Sequence, residues 1–124
     1  MSNDVSFLFD MKDETSWQEG VDGYGIGEYL SILLDSEHEI RYMGFKLGNW
    51  KNMDLYTENA RPKTLFISFG DFQQEITFTG EVKTEWVAFE NIAPAKEITI
   101  RIEDVFTGTI YDDTCIAEIM IYGR

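Results

Sequence analysis

The chain has 124 residues, enough to bury a self-sufficient core, and one domain spanning 1–124 is the natural count. Hydrophobic residues at 44% and charged residues at 27% exclude a disordered chain, and aromatics at 15% favour sheets. A net charge of −13, from 10 basic and 23 acidic residues, excludes nucleic acid and anionic membrane surfaces as partners. It suits neutral ligands, cations or a basic protein.

The single cysteine, Cys115, excludes an intramolecular disulfide. It lies in an apolar strand pattern, as a buried inert thiol would. The leading MSNDVSFLFD has no basic region and no long apolar run, so no signal peptide is expected. No apolar stretch is long enough to span a bilayer, and the compartment is left open.

In chain order, Phe7 to Phe9 reads as a short edge strand and Asp10 to Ser16 as a polar turn. Trp17 opens a loop holding Gly20, Gly23, Gly25 and Gly27. Glycines this dense mean positive φ or close approach, in a binding loop or a long ordered turn. A phosphate cradle is excluded, because the segment after Gly27 is apolar and strand-like rather than a capped helix. Glu19, Asp22 and Glu28 would also repel a diphosphate.

Tyr29 to Leu34 is a continuous apolar run, which predicts a strand buried on both faces. Asp35 to Glu39, with the only histidine, His38, predicts a polar turn. Ile40 to Leu47 alternates, with Met43, Phe45 and Leu47 on one face. Gly48 to Asn52 is a turn with Trp50 at its tip, and Met53 to Arg61 is irregular or one helical turn, ended by Pro62. Leu65 to Phe69, a Gly70-Asp71 hairpin and Gln73 to Phe78 follow. Thr84 to Phe89 forms a further strand, with Trp86 assigned to the core together with Trp17. Ile98, Ile100 and Ile102 alternate with Thr99, Arg101 and Glu103, the pattern of a half-buried strand. Cys115 to Ile121 is the last strand. About eight strands at this turn spacing, with no long helical period, predict a two-sheet jelly-roll sandwich.

Two regions carry a resemblance. Asp10-x-x-x-x-Thr15-x-Trp17 resembles the first loop of galactose-binding-like, or discoidin-like, domains, and Asp113 to Ile119 is similar to their last strand. A closer pattern links Trp17-x-Glu19-Gly20-Val21-x-Gly23-x-Gly25-x-Gly27-Glu28 to Gly48-x-x-Lys51 and Tyr56-x-x-Asn59-x-Arg61-Pro62-Lys63. It ends at Gly108-x-x-Tyr111-x-Asp113-Thr114-Cys115-Ile116-x-Glu118-Ile119. Together these resemble the NADase-type glycan-binding (translocation) domain of that superfamily, over nearly the whole chain. Met11 and Asp13 depart from the Gly and Pro common in discoidin-like first turns.

The resemblance implies an all-β galactose-binding-like jelly-roll sandwich and a non-catalytic module that binds a glycan or glycoconjugate. The alternative is a protein-interaction or translocation accessory domain docking a basic protein partner. The resemblance also implies a structural calcium held by Asp10, Thr15, Glu118 and a carbonyl near Lys12, an oxygen set that suits the ion. Asp10 and Thr15 capping the turn is the plainer reading. Glu118, among Ile116, Ile119 and Ile121, needs a cation or donors, which Arg101 or Lys63 would also supply.

A polar cluster of Tyr56, Asn59, Arg61 and Lys63, with Glu28 and Asp113 as counter-charges, reads as a ligand pocket or as an internal network. Trp50, Tyr24, Tyr56, Phe72 and Tyr111 fall in or beside turns, where aromatic faces stack on sugar rings or seal the sandwich ends. No enzyme activity is expected. No nucleophile motif surrounds a serine, and 23 acidic residues single out no catalytic pair.

Overall fold

A computed structural model describes residues 6–11, 17–18, 26–90, 92–110 and 114–124. Two antiparallel sheets face one another. The first is ordered β1 (Ser6–Met11), β9 (Cys115–Gly123), β4 (Ile40–Leu47), β7 (Glu85–Ala88), with β2 (Trp17–Gln18) also on β9. The second is ordered β3 (Tyr29–His38), β8 (Ala95–Phe106), β5 (Arg61–Phe69), β6 (Phe72–Thr77). The one helix, α1 (Met53–Glu58), lies between β4 and β5. The discoidin-like β-sandwich expected from sequence is the fold found, with nine strands among the described residues where about eight were expected.

Alternation builds the core. Ile98, Ile100 and Ile102 of β8 and Leu65 and Ile67 of β5 are fully buried from one sheet. Met43 and Phe45 of β4 and Ile119 and Ile121 of β9 meet them from the other. Phe45 packs edge-on against Phe78 at 5.2 Å between ring centroids. Residues at alternate positions face the same side, so these inward rows follow from the pleat alone. Cys115 is buried, as its apolar setting predicts.

Three expectations change. Tyr29–Leu34 is not buried on both faces. Ile32 and Leu34 point inward, while Tyr29 and Leu33 stay 64% and 70% exposed. β3 lies at the edge of its sheet with one side on the core, so its run of apolar residues is not a sign of double burial. The expected turn at Asp35–Glu39 is mostly strand, since β3 continues through His38. There the ring Nε2 lies 2.8 Å from Asp35 Oδ1 and 3.2 Å from Ser36 Oγ, and these contacts hold the polar strand end. Trp86 is not core. It is 55% exposed on the outer face of β7, where its ring lies over Gly44 of β4. Phe72, left open between a ligand aromatic and a seal of the sandwich end, lies beside the Gly70-Asp71 turn, stacks on Phe69 at 5.3 Å and meets Phe89 at 4.9 Å.

The chain crosses between sheets at Glu39, whose backbone exchanges two hydrogen bonds with Arg124, 2.8 and 3.0 Å long. The crossing passes so near β9 that a Cβ on Gly123 would collide with the Glu39 carbonyl oxygen.

Candidate functional site

The site forms at one end of the sandwich, where β4 hands the chain to α1. Gly48 has φ 103°, a left-handed conformation that few side chains tolerate. A Cβ there would also sit 2.8 Å from the Tyr56 ring, so this glycine is demanded twice. The Gly48 amide donates to Cys115 O at 2.8 Å, which fixes the turn to β9. Trp50 Nε1 donates to Leu47 O at 2.8 Å and anchors the half-exposed indole, with the Lys46 ammonium 5.3 Å from its ring centroid. Asn52 caps α1, its Oδ1 accepting from Leu55 N at 2.8 Å. Asn59 closes the helix, with Nδ2 donating to Leu55 O at 2.9 Å.

Behind α1 lies a partly buried latch. Tyr56 Oη and Arg61 Nε both donate to the Gly80 carbonyl, at 2.7 and 3.2 Å. The Arg61 guanidinium carbon sits 4.6 Å from the Tyr56 ring centroid and 5.0 Å from that of Phe106. Gly80, with φ 81°, must lack a side chain, because a Cβ would meet Phe106 at 2.8 Å. The next turn is held by Glu85, whose carboxylate accepts from Thr79 N at 3.0 and 3.2 Å. Burial pushes the Tyr56 phenol above its ordinary value, and the Arg61 charge partly opposes this.

In front of the latch, Trp50, Asn52, Met53, Tyr56 and Val82 line an open pocket of about 120 Å³. Its wall is mostly apolar, with Met53 and Val82 well exposed. Such a surface can accept the C–H face of a ring, while the polar end of Asn52 lies at its margin.

Of the residues singled out from sequence, Trp50 and Tyr56 line this pocket, and Asn59 and Arg61 lie behind it. Asn59 is buried and satisfied by the helix end. Lys63 Nζ lies 4.0 Å from Asp104 and 5.7 Å from the centroid of Phe106, the ring that Arg61 also approaches. Tyr24, Tyr111, Lys12, Thr15 and the counter-charge Asp113 fall outside the described residues. Asp10 is placed through its backbone, opposite Met120. Glu118 is 13% exposed, and its carboxylate lies 3.0 Å from Lys46 Nζ. That corrects the expected partners. Arg101 instead bonds Glu103 Oε1 at 2.5 Å and covers Phe66 at 4.8 Å. The cross-strand register decides this, because Lys46 faces Glu118 directly across β4 and β9. The register was not visible before the strands were paired. Met53 and Val82 were missed, and a lone exposed apolar residue carries no signal in sequence.

These two packed antiparallel sheets define a discoidin-like β-sandwich. The chain belongs to the NAD glycohydrolase translocation F5/8 type C domain family, whose model matches residues 1–122. It is similar in structure to the Streptococcus pyogenes NAD⁺-glycohydrolase translocation domain solved by NMR. That likeness has a TM-score of 0.65 and 20% identity, covering 85% of this chain and 94% of that one. It is also similar to a family 32 carbohydrate-binding module of C. perfringens NanJ, solved with galactose, at TM-score 0.65 and 18% identity, covering 90% and 78%. A module of the same kind from a family 31 glycoside hydrolase of Clostridium perfringens matches at TM-score 0.61 and 10% identity, with the same coverages. No curated protein matches this chain in sequence. No helix among the described residues is long and apolar enough to cross a membrane.

Proposed function

We propose that this translocation-family domain is a non-catalytic module that binds a glycan in the pocket between Trp50 and α1. The observation that carries the reading is the pocket itself, an aromatic and aliphatic recess on loops held by fixed hydrogen bonds. A galactose complex of a module with the same fold supports the choice of ligand class. In this reading Trp50 stacks on the sugar and Asn52 bonds a hydroxyl. Tyr56, Asn59 and Arg61 position the walls, since Tyr56 Oη, Asn59 Nδ2 and Arg61 Nε bond backbone carbonyls within the protein. Tyr24 and Tyr111 belong to the same proposal as further loop aromatics. The calcium is part of it too. With Glu118 against an ammonium, the ion would draw on Asp10, Thr15 and the carbonyl near Lys12.

The test is a glycan array with the folded domain at physiological salt and with calcium present. Binding to one sugar class, lost in Trp50→Ala while the fold is kept, is the expected result. A blank array overturns the proposal.

A second reading follows from the family: an accessory domain that docks a basic protein during translocation. The net charge of −13 supports it through steering, and its binding would fall steeply with salt where sugar binding would not.

A further inference from the structure

The edge of the second sheet offers a surface separate from the glycan pocket. β3 pairs with β8 alone, so one side of its backbone is left without a strand neighbour among the described residues. Its first six residues, Tyr29–Leu34, carry no charge and no proline. Natural edges are usually blunted by such residues, by brevity or by a bulge. The other described edges are blunted: β1 breaks register between Phe7 and Phe9, whereas β3 pairs in regular register from Tyr29 to Leu33. β6 exposes Gln73, Gln74 and Glu75, and β7 has only four residues. On β3, by contrast, Tyr29 and Leu33 stand out on the solvent face, 64% and 70% exposed.

Charge then decides what can pair there. The uncharged strip is bounded by Glu28 on one side and by Asp35 and Glu37 on the other. Glu97 stands directly opposite Leu33 on β8. Two cations of β8 border the strip, Arg101 opposite Tyr29, already bonded to Glu103, and exposed Lys96 beside Glu97, and the carboxylates outnumber them. A second copy of this chain would bring the same carboxylates and the same net charge of −13 to the contact.

We propose that β3 is a docking edge for an extended segment of a basic protein, apolar at alternate positions and with lysine or arginine at both ends. Main-chain hydrogen bonds to the free edge supply the pairing. Tyr29 and Leu33 take the alternate apolar side chains. Glu28 and Glu37 receive the flanking cations, while Asp35 is held by His38. The inference stands on the β3 edge alone and does not need the glycan reading.

The test titrates the full chain, labelled for NMR, with a nine-residue peptide of alternating valine and threonine carrying two lysines at each end. Amide shifts confined to Tyr29–Leu34 and their sheet neighbours, weakening as salt is raised, are the expected result. Leu33→Lys alters an exposed side chain and keeps the fold, and it weakens binding at least about fivefold by removing one apolar pair and adding a like charge. The same peptide with glutamates in place of lysines produces no shift. Shifts elsewhere, or none, overturn the proposal. So does a dimer of the chain alone in sedimentation equilibrium that Leu33→Lys abolishes, since β3 would then serve a second copy.

Discussion

The latch on the Gly80 carbonyl makes a prediction that contact-by-contact reasoning does not. Two donors reach one acceptor, Tyr56 Oη at 2.7 Å and Arg61 Nε at 3.2 Å. Tyr56→Phe removes one hydrogen bond and leaves the ring packed, for a cost of about 1 kcal/mol. Arg61→Met keeps the stem but removes the other donor and the guanidinium between the Tyr56 and Phe106 rings. It costs about 1–2 kcal/mol. In each single variant the carbonyl keeps a protein donor. In the double variant it keeps neither of these two, and an orphaned carbonyl costs about 1–3 kcal/mol. Gly80 is only partly buried, so the low end applies and the double variant should exceed the sum of the singles by about 1 kcal/mol. Urea unfolding of all four proteins, at constant m-value, measures this coupling. A double variant no worse than the sum would refute the shared-acceptor argument. The latch also carries the turn bearing Val82, so the double variant should weaken any ligand of the Trp50 pocket more than either single change.

Three further outcomes follow from the same geometry. Gly123→Ala should lower stability by about 1–3 kcal/mol or prevent folding, because the added Cβ meets backbone at Glu39 rather than a side chain that can turn away. Calorimetry reads it, against Gly27→Ala, where the strain is in φ alone and nothing lies within 4 Å. The Tyr56 phenol is raised by burial, so the neutral form belongs to the folded state. Its contribution is whole below the ordinary tyrosine value of about 10 and is lost as pH rises through the higher folded value. Near-ultraviolet titration should therefore show a late tyrosine ionisation that Tyr56→Phe removes. Calcium at a hundred times its dissociation constant should stabilise the fold by about 2.7 kcal/mol if the first loop holds it, and an unmoved Tm with and without chelator removes the ion from the proposal.

Much of the sandwich was legible because a pleated strand writes its burial into every second residue. Ile98, Ile100 and Ile102 declare one face of β8, and Met43, Phe45 and Leu47 one face of β4. The reading failed where the signal depended on a strand's neighbours. Tyr29–Leu34 looks the same in sequence whether one face is covered or two, and only the two-sheet layering shows that Tyr29 and Leu33 face outward. Trp86 looks like core until Gly44 is found beneath it, offering a flat bed on the outside of the sheet. Of the site, the aromatic Trp50 and the run from Tyr56 to Arg61 were legible as a cluster. Their roles were not. Which polar atoms face a ligand depends on Gly80, a partner 19 residues from Arg61 and 24 from Tyr56.

That division bears on how such a domain can change what it recognises. Tyr56, Asn59 and Arg61 are the polar residues that most resemble ligand-binding chemistry, yet their hydrogen bonds run to Gly80 and Leu55. They hold α1, the 79–82 turn and the start of β5 in one relation. Altering them loosens the frame of the pocket before it alters the choice of ligand. Trp50, Asn52, Met53 and Val82 line the recess from turns and a helix end, where substitution leaves the sheets untouched. Specificity can therefore drift in those four positions at small cost in stability, while the latch behind them stays fixed. On the proposed glycan reading, exchanging Asn52 and Val82 together should change which sugar binds and leave the Tm nearly unchanged, provided the new residue at 52 still caps α1. Serine or aspartate meets that condition, whereas alanine loses about 1 kcal/mol with the cap.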